Sequence, residues 1–289
     1  MNIGLIGIGL MGHGIASSLQ RHGHHLNLCK HAGNQPVERL ISAGAHEYDT
    51  PAEVAKNSEI ILLCVTGSPQ VEQVLCGPGG VLEGLAPHSI VIDCSTSIPS
   101  STEKMAVAVK NHGGQFLDAP MTRTPKEAAE GRLNLLVGGD PETFEQCLAV
   151  LKCFAENITL VGGTGAGHRM KLLHNYVSLG SIALLSEAAA IALDADITAE
   201  AFVEVLAKGG GAGAALDRVQ PYLTQGDVSA LRFAMSNALK DISYFTNMAK
   251  ESGARHEIAS AVEQTFSAAT NESETERFVP ELVDILRLR

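Results

Sequence analysis

Hydrophobic residues up to residue 162 fall into short β-rich runs separated by amphipathic stretches. Two of the runs, Ile60-Ile61-Leu62-Leu63 and Ile90-Val91-Ile92, are continuously apolar, which is typical of parallel strands covered by helices on both faces. The predicted strands are 2–7, 25–29, 60–65, 90–94, 115–118, 133–137 and 158–161, and the predicted helices between them are 10–21, 51–56, 70–75, 99–111 and 141–154. Strands and helices in alternation predict an α/β fold with a doubly wound parallel sheet.

The strand signal stops after Gly167, and an Ala- and Leu-rich pattern predicts one long helix over 169–195. Further helices are predicted at 199–208, 214–222, 231–250, 256–269 and 280–288. A chain of 289 residues is long enough for about two domains of roughly 150 residues each. We therefore expect a sheet domain over 1–163 and an all-helical domain over 164–289.

The composition is that of an ordered globular protein, since 45% of the residues are hydrophobic and 18% are charged. The most apolar segment, 176–194, is interrupted by Ser178, Ser181, Ser186 and Glu187, so no membrane span is expected. Lys and Arg number 21 against 32 Asp and Glu, without a basic cluster, which argues against a nucleic acid as partner. The chain opens directly on an apolar strand pattern, so we predict no signal peptide.

The six cysteines and eleven histidines show no spacing typical of metal ligands, and we expect no metal site. Three of the cysteines lie in predicted buried strands. This usage fits free thiols in a reducing compartment better than a disulfide framework, so we expect a cytoplasmic protein.

The segment Gly7-Ile8-Gly9-Leu10-Met11-Gly12 follows the first predicted strand and opens the first predicted helix. In this context the G-x-G-x-x-G pattern predicts a dinucleotide site. Gly7 permits the tight turn, Gly9 lets the backbone approach a pyrophosphate, and Gly12 lets the helix pack on the strand. The free N–H groups at the helix start would hold the phosphates. The alternative is that the glycines serve only the strand-to-helix turn.

The end of the second predicted strand bears on the choice of nicotinamide nucleotide. An NAD site usually has Asp or Glu here, which binds the 2′-hydroxyl of the ribose. This chain has Cys29-Lys30-His31 and no acid before Glu38. A cation at this point suits a 2′-phosphate, so Lys30 and His31 favour NADP over NAD. The alternative is that Lys30 only points into solvent.

Two polar residues, Lys171 and Asn175, lie four positions apart near the start of the long predicted helix and therefore share one face. Farther along, that face carries Ser178, Ile182, Leu185 and Ala189, so the polar pair lies at the start of an otherwise apolar stripe. An inward-facing ammonium is costly unless it is paired or functional. Desolvation and neighbouring cations such as Arg169 would lower the pKa of this lysine, as proton transfer near neutrality requires. We predict a general acid/base role for Lys171; the alternative is an interdomain salt bridge.

Several motifs stand in the order found in the β-hydroxyacid dehydrogenases: the glycine-rich turn 7–12, Asp118-Ala119-Pro120, Gly131-x-Leu133, Gly165…Lys171…Asn175, and Lys240-Asp241. The chain resembles this family over essentially its whole length. The family includes 3-hydroxyisobutyrate dehydrogenase, tartronate semialdehyde reductase and, more distantly, 6-phosphogluconate dehydrogenase. The combination of motifs is far more specific than any one of them.

The resemblance implies a Rossmann domain joined by a long helix to an all-helical domain that helps to form a homodimer or homotetramer. It implies that Lys171 is the acid/base, that Asn175 positions it and the substrate, and that Lys240 approaches the cofactor. Thr96 matches a family position beside the nicotinamide. The residues expected at the cofactor are Gly7, Gly9, Leu10, Met11, Gly12, Lys30, His31, Val65, Thr66, Thr96 and Lys240; those expected at the substrate are Ser95, Thr122, Arg123, Thr124, Lys171 and Asn175.

One segment departs from the family pattern. After Asp-Ala-Pro the family usually has Val-Ser-Gly-Gly, which holds the substrate carboxylate, whereas this chain has Met121-Thr122-Arg123-Thr124. A guanidinium at Arg123 can bind a carboxylate, sulfonate or phosphate bidentately. The Arg-Thr pair resembles the sulfolactaldehyde reductase branch, which places similar residues against a sulfonate. The alternative is a surface pair between Arg123 and Glu127.

These features predict an NAD(P)-dependent oxidoreductase that interconverts a short aldehyde and its primary alcohol, of the 3-hydroxy acid type, with an anionic head group. Two alternatives stay open: an imine reductase, and a nucleotide-binding regulatory protein that has lost turnover. The family's imine-reducing relatives usually lack the lysine at position 171, so its presence favours alcohol and aldehyde chemistry. Retention of both Lys171 and Asn175 argues against a protein without turnover.

Overall fold

The computed structural model of the protein describes residues 1–271 and 277–287. The chain forms two compact units, residues 1–171 and 172–289. The division falls inside the long helix, whose first turns pack with the sheet. The sequence predicts a domain boundary between residues 163 and 164, just before the long helix begins.

The first unit contains a nine-stranded sheet and its covering helices. Its strands are β1 Asn2–Ile6, β2 His25–Cys29, β3 His46–Tyr48, β4 Ile60–Leu63, β5 Ile90–Asp93, β6 Gln115–Asp118, β7 Met121–Thr122, β8 Leu133–Gly139 and β9 Ala155–Gly162. Its helices are α1 Leu10–Arg21, α2 Glu38–Ser42, α3 Pro51–Lys56, α4 Ser68–Cys76, α5 Val81–Gly84, α6 Pro99–Asn111, α7 Pro125–Glu130 and α8 Pro141–Leu151.

The sheet has the order β3-β2-β1-β4-β5-β6-β8-β7, with β9 paired to β8. The first six strands of this order are parallel, as predicted. Strands β6 and β7 are two segments separated by Ala119-Pro120, and β8 pairs antiparallel with both of them. The sheet is therefore a Rossmann-type sheet of mainly parallel strands that ends in an antiparallel edge.

The aliphatic strands fill two cores, one on each face of the sheet. Ile60 and Leu62 of β4 belong to one core, and the intervening Ile61 and Leu63 belong to the other. Continuous burial of a strand needs helices on both faces, which confirms the prediction from the apolar runs. The sequence did not reveal β3, because its residues are polar or aromatic: His46 is exposed, and Glu47 and Tyr48 are half-buried at the sheet edge.

The second unit is helical. Its helices are α9 Ala166–Asp194, α10 Ala199–Ala207, α11 Ala214–Gln225, α12 Met235–Glu251, α13 Glu257–Asn271 and α14 Leu282–Leu286, of which α9 begins in the first unit. Ile182 of α9, Val219 of α11 and Phe266 of α13 meet in its core and are fully buried. The predicted last helix, 280–288, ends at Leu288, which lies outside the described residues.

Helix α9 has the length and apolar composition that would suffice to cross a membrane, and is the one such helix in the described part of the chain. The core helix of a soluble protein has the same properties. Leu179, Ile182 and Ala189 of this helix are buried in the helical core. We therefore interpret α9 as a core helix.

Candidate active site

The glycine-rich turn is shaped by steric demands that only glycine meets. Gly7 has φ +93°, and a Cβ there would lie 2.3 Å from the carbonyl oxygen of Cys64 at the end of β4. A Cβ on Gly12 would lie 2.0 Å from the carbonyl oxygen of Gly7. These two glycines therefore allow α1 to start directly against the sheet.

Gly9 differs from its neighbours in the motif, because a Cβ on it would meet no heavy atom within 4 Å. It has ordinary backbone angles, φ −72° and ψ −163°, and it stands at the N-cap of α1. Among the described residues, no side chain caps this helix. Open space beside uncapped N–H groups is what a pyrophosphate requires. The turn therefore fits the dinucleotide, with Leu10 and Met11 in the first helical turn.

Asn34, which sequence analysis missed, joins this turn to the end of β2. Its Oδ1 accepts a hydrogen bond from the Ile8 N–H at 3.2 Å, and its Nδ2 donates to the Cys29 carbonyl at 2.9 Å. The Gln35 N–H also donates to the Ile8 carbonyl, at 2.7 Å. The loop after β2 thus supports the glycine-rich turn, although no local motif indicates this.

The cation predicted for a 2′-phosphate already has a partner in the chain. Lys30 Nζ lies 2.8 Å from Asp49 Oδ1, and this hydrogen bond raises the pKa of the lysine. His31 Nδ1 accepts the Gly33 N–H at 3.0 Å. Both residues line an open cavity of about 500 Å³ together with Glu47. A 2′-phosphate at Lys30 would share the ammonium with Asp49.

The predicted residues at the carboxyl ends of β4 and β5 lie together. Ser95 Oγ accepts a hydrogen bond from the Val65 N–H at 3.0 Å, and the Ser95 N–H donates to Asp93 Oδ1 at 2.9 Å. Thr66 and Thr96 are the next residues along each chain segment. Ligands of open α/β sheets bind at this edge.

The segment 121–124 is held by its own neighbours. Asn134 Nδ2 donates to Thr122 Oγ1 at 3.0 Å, and the Thr124 N–H donates to Glu127 at 3.0 Å. The hydrogen bond from the Thr124 hydroxyl lowers the pKa of Glu127. The suggested pair between Arg123 and Glu127 is therefore replaced by a local capping interaction at α7.

Arg123 has φ +83°, a backbone conformation that favours glycine. The β-hydroxyacid dehydrogenase pattern has glycine at this position. Its guanidinium donates to the carboxylate of Glu156 on β9 and to the carbonyl of Arg132. The hydrogen bond lowers the pKa of Glu156. An anionic substrate would have to displace Glu156 from Arg123.

The pair predicted to carry the chemistry lies on α9, with Lys171 partly buried and Asn175 buried. Asn175 Nδ2 donates to Asp241 Oδ2 of α12 at 2.6 Å, and its Oδ1 lies 3.0 Å from His174 Nδ1. Asp241 therefore fixes the Asn175 side chain. Sequence analysis used Asp241 only as part of a motif and did not assign it this role.

Lys240, predicted near the cofactor, lies beside Asp241 on α12. Its Nζ lies 3.1 Å from Asp241 Oδ1 and 5.5 Å from the centre of the Tyr244 ring. The distance to the carboxylate is that of an ion pair, and the position above the ring is that of a cation–π contact.

The six cysteines are all free thiols, and burial raises the pKa of Cys64 and Cys147 to about 12. Buried thiols of high pKa are poor nucleophiles. Among the residues that the structure describes, no three His, Cys, Asp or Glu side chains are arranged to hold a metal ion.

Two family models cover the chain. Residues 2–163 match the model described as the NAD binding domain of 6-phosphogluconate dehydrogenase, and residues 165–286 match that of the NAD-binding region of NADP-dependent 3-hydroxyisobutyrate dehydrogenase. The chain belongs to the β-hydroxyacid dehydrogenase family. It is an NAD(P)-dependent oxidoreductase that acts on CH–OH groups.

Individual relatives agree with this assignment. The chain is 31% identical over 268 residues to 3-sulfolactaldehyde reductase of Escherichia coli, covering 92% of this chain and 89% of the relative. It is 36% identical over 189 residues to 2-hydroxy-3-oxopropionate reductase of the same organism, covering 65% and 64%. A solved 3-hydroxyisobutyrate dehydrogenase of Mycobacterium tuberculosis shares the fold, with a TM-score of 0.88 at 21% identity over 99% of both chains.

Proposed function

We propose that the protein reduces a short aldehyde with an anionic head group to its primary alcohol, and catalyses the reverse oxidation, with Lys171 as general acid/base. The observation that carries this proposal is the geometry of Asn175. This buried amide is fixed by Asp241 at 2.6 Å and stands one helical turn after Lys171, on the same face of α9. Such a fixed amide supports an orienting role toward the lysine and the substrate oxygen.

The nicotinamide, when bound, supplies or accepts the hydride. Lys171 Nζ gives a proton to the carbonyl oxygen during reduction and takes the proton of the hydroxyl during oxidation. The glycine-rich turn binds the pyrophosphate through backbone N–H groups and the start of α1. Thr96 and Ser95, at the carboxyl end of β5, stand on the nicotinamide side in this proposal.

For the nucleotide, the proposal favours NADP over NAD, because Lys30 and His31 follow β2 where an NAD site usually has an acid. A ligand that binds only the folded state raises the melting temperature by mass action. NADPH should therefore raise it more than NADH at equal concentration, and the reverse order would assign NAD. Lys30→Ala should reduce the NADPH shift and leave the NADH shift unchanged.

The proposed head group is recognised by Arg123, with Thr122 and Thr124 beside it. A sulfonate is a second candidate beside a carboxylate, because the Arg-Thr pair stands where the family has two glycines and 3-sulfolactaldehyde reductase is a relative. Arg123→Ala should raise KM for anionic aldehydes much more than for neutral ones. Equal effects on both would show that Arg123 is not the anion receptor.

A panel of substrates with both nucleotides tests the proposal as a whole. We expect turnover of 3-sulfolactaldehyde or 2-hydroxy-3-oxopropionate, and of neutral short aldehydes only at high concentration. Turnover of cyclic imines alone would assign imine reduction. Nucleotide binding without turnover of any member would favour the regulatory protein. We further propose a cytoplasmic location and a homodimer or homotetramer, which fractionation and light scattering test.

A further inference from the structure

The first turn of α9 is capped by a carboxylate from a distant strand. Asp118, at the end of β6, is fully buried. Its Oδ1 accepts the Gly165 N–H and its Oδ2 accepts the His168 N–H, both at 2.8 Å. The first N–H groups of a helix have no partner within the helix, so this carboxylate determines where α9 begins.

The imidazole of His168 connects the same turn to two other elements. The ring is fully buried. Its Nδ1 lies 2.8 Å from Thr102 Oγ1 on α6, and its Nε2 lies 3.1 Å from the Ser95 carbonyl oxygen. Asp93 Oδ2 and Asp118 Oδ2 each lie 3.8 Å from a ring nitrogen. His168 therefore links α9 to the loop after β5, which carries the predicted nicotinamide-side residues.

Close backbone packing also restricts movement of the first turn of α9 against β8. A Cβ on Gly167 would lie 2.3 Å from the Leu136 carbonyl oxygen, and a Cβ on Gly138 would lie 2.6 Å from the Gly167 nitrogen. The start of α9 thus touches β8 backbone to backbone. Its position is fixed by this contact in one direction and by Asp118 and His168 in the others.

Asp93, Asp118 and His168 form a buried cluster that would cost free energy if its only role were to stabilise the fold. Two carboxylates and an imidazole with no exposed surface lose their hydration, and apolar side chains of similar volume often stabilise a fold at least as well. Such a cluster can instead serve catalysis by fixing the position of a helix. A displacement of about 1 Å between reacting groups can lower a reaction rate about 100-fold. Lys171 stands one turn after His168 on the same helix.

We propose that Asp118 and His168 are positioning residues: they fix the first turn of α9 on the loop that follows β5, and so hold Lys171 in register with Ser95 and Thr96. This inference rests on the proposed function, in which Lys171 transfers the proton. Asp118 and His168 are fully buried, so their effect on the rate would act through the position of Lys171.

The test compares His168→Leu, which removes both ring contacts, with His168→Gln, which can keep one of them. Ser18→Ala is the matched control, since Ser18 is equally buried in the first unit and donates to the Cys153 carbonyl at 2.7 Å. The measurements are kcat and KM per folded enzyme, the melting temperature, and the Kd of NADPH or NADH.

We expect His168→Leu to lower kcat about 10- to 100-fold with KM and the nucleotide Kd changed less than threefold. His168→Gln should restore most of kcat. Ser18→Ala should lower the melting temperature without changing kcat. A kcat of wild-type size in folded His168→Leu, or a loss of stability alone, would overturn the proposal.

A second variant covers the case in which His168→Leu does not fold. Thr102→Val removes only the hydroxyl beside Nδ1 and should lower kcat about 3- to 10-fold, the worth of about one hydrogen bond; unchanged kcat in this variant would also overturn the proposal. Amide exchange of the segment 165–171 should rise in Thr102→Val and stay unchanged in Ser18→Ala. If wild-type enzyme turns over no substrate of the panel, the proposed function fails, whereas an active wild type with an unaffected Thr102→Val refutes the positioning role alone.

Discussion

The glycine-rich turn and the start of α9 solve the same problem, the opening of a helix at a functional site, in different ways. The turn uses residues that adjoin one another in sequence and leaves the first N–H groups of α1 without a side-chain cap. The start of α9 is capped by Asp118, 47 and 50 positions away from the two N–H groups that it binds. The first helix end is open to a ligand, and the second is closed by the protein itself.

The difference shows how a helix end can be assigned a role from its partners. An uncapped, sterically open end such as that at Gly9 is suited to bind an anion. An end whose donors are occupied by a buried carboxylate cannot bind one, and its function is to place the side chains that follow. In this protein those side chains are Lys171 and, one turn later, Asn175.

The largest effect is expected at Lys171. Replacement by Met should lower kcat by roughly 10²–10⁴, the usual contribution of a general acid/base. Lys171→Arg separates the acid/base role from an interdomain salt bridge, because arginine keeps the charge but does not release its proton. Steady-state turnover should be lost in both variants. Activity near wild type in Lys171→Arg would support the salt bridge instead.

The next effect is expected at Asp241, which is buried and accepts the Asn175 amide at 2.6 Å. Asp241→Ala leaves that amide and the Lys240 ammonium without the carboxylate, and should lower the free energy of unfolding by about 1–3 kcal/mol. Urea unfolding measures this loss, and kcat should fall about tenfold because Asn175 loses its orientation. Asp241→Asn keeps one acceptor and should lose less of both. Equal losses in the two variants would contradict a directed hydrogen bond.

Within the turn, two matched substitutions should act in opposite ways. Gly7→Ala places a methyl group 2.3 Å from the Cys64 carbonyl oxygen and should lower the melting temperature of the ligand-free protein. Gly9→Ala meets no atom of the chain and should leave that temperature unchanged, while it abolishes most of the rise caused by NADPH or NADH. A full nucleotide response in Gly9→Ala would place the pyrophosphate elsewhere.

The smallest effect is expected at Asp140, a local cap that contrasts with Asp118. Its Oδ2 accepts the Thr143 N–H at 2.9 Å at the start of α8, and this bond lowers the pKa of Asp140. A lowered pKa gives stability that is present above the unfolded value of about 3.9 and is lost as the pH falls through the folded value. Asp140→Ala should lower the melting temperature slightly at pH 7, with kcat unchanged, and the difference from wild type should vanish in acid. A difference that persists in acid would contradict a cap by the ionised carboxylate.

The sequence predicted the features that depend on neighbouring residues. It did not predict contacts between residues that lie far apart in the chain. Helices α1 and α6 have the predicted bounds, since glycine or proline marks their starts and their faces are periodic. The aliphatic strands were predicted from their continuous apolar runs, which are local features as well. The predictions of NAD(P) use and of the family are confirmed.

The partners of Asn34, Asp118, His168 and Asp241 could not be predicted, because each bonds to groups that only the folded chain brings near. The Ser95 carbonyl, for example, lies 73 positions from His168. The sequence also left the role of Arg123 undecided. Its ion pair with Glu156 depends on the pairing of β8 with β9, which no local pattern specifies. A local pattern carries no information about such contacts.

The most direct test of the central claim follows deuterium from the reduced nucleotide. NADPH and NADH that carry deuterium at both C4 positions of the nicotinamide are each incubated with 3-sulfolactaldehyde and with 2-hydroxy-3-oxopropionate, and the alcohol product is analysed by mass spectrometry. The account predicts one deuterium in the primary alcohol formed by the wild-type enzyme, and little or no labelled product in the same time from Lys171→Met. Unlabelled alcohol from the wild type, or equal labelled product from both enzymes, would contradict it.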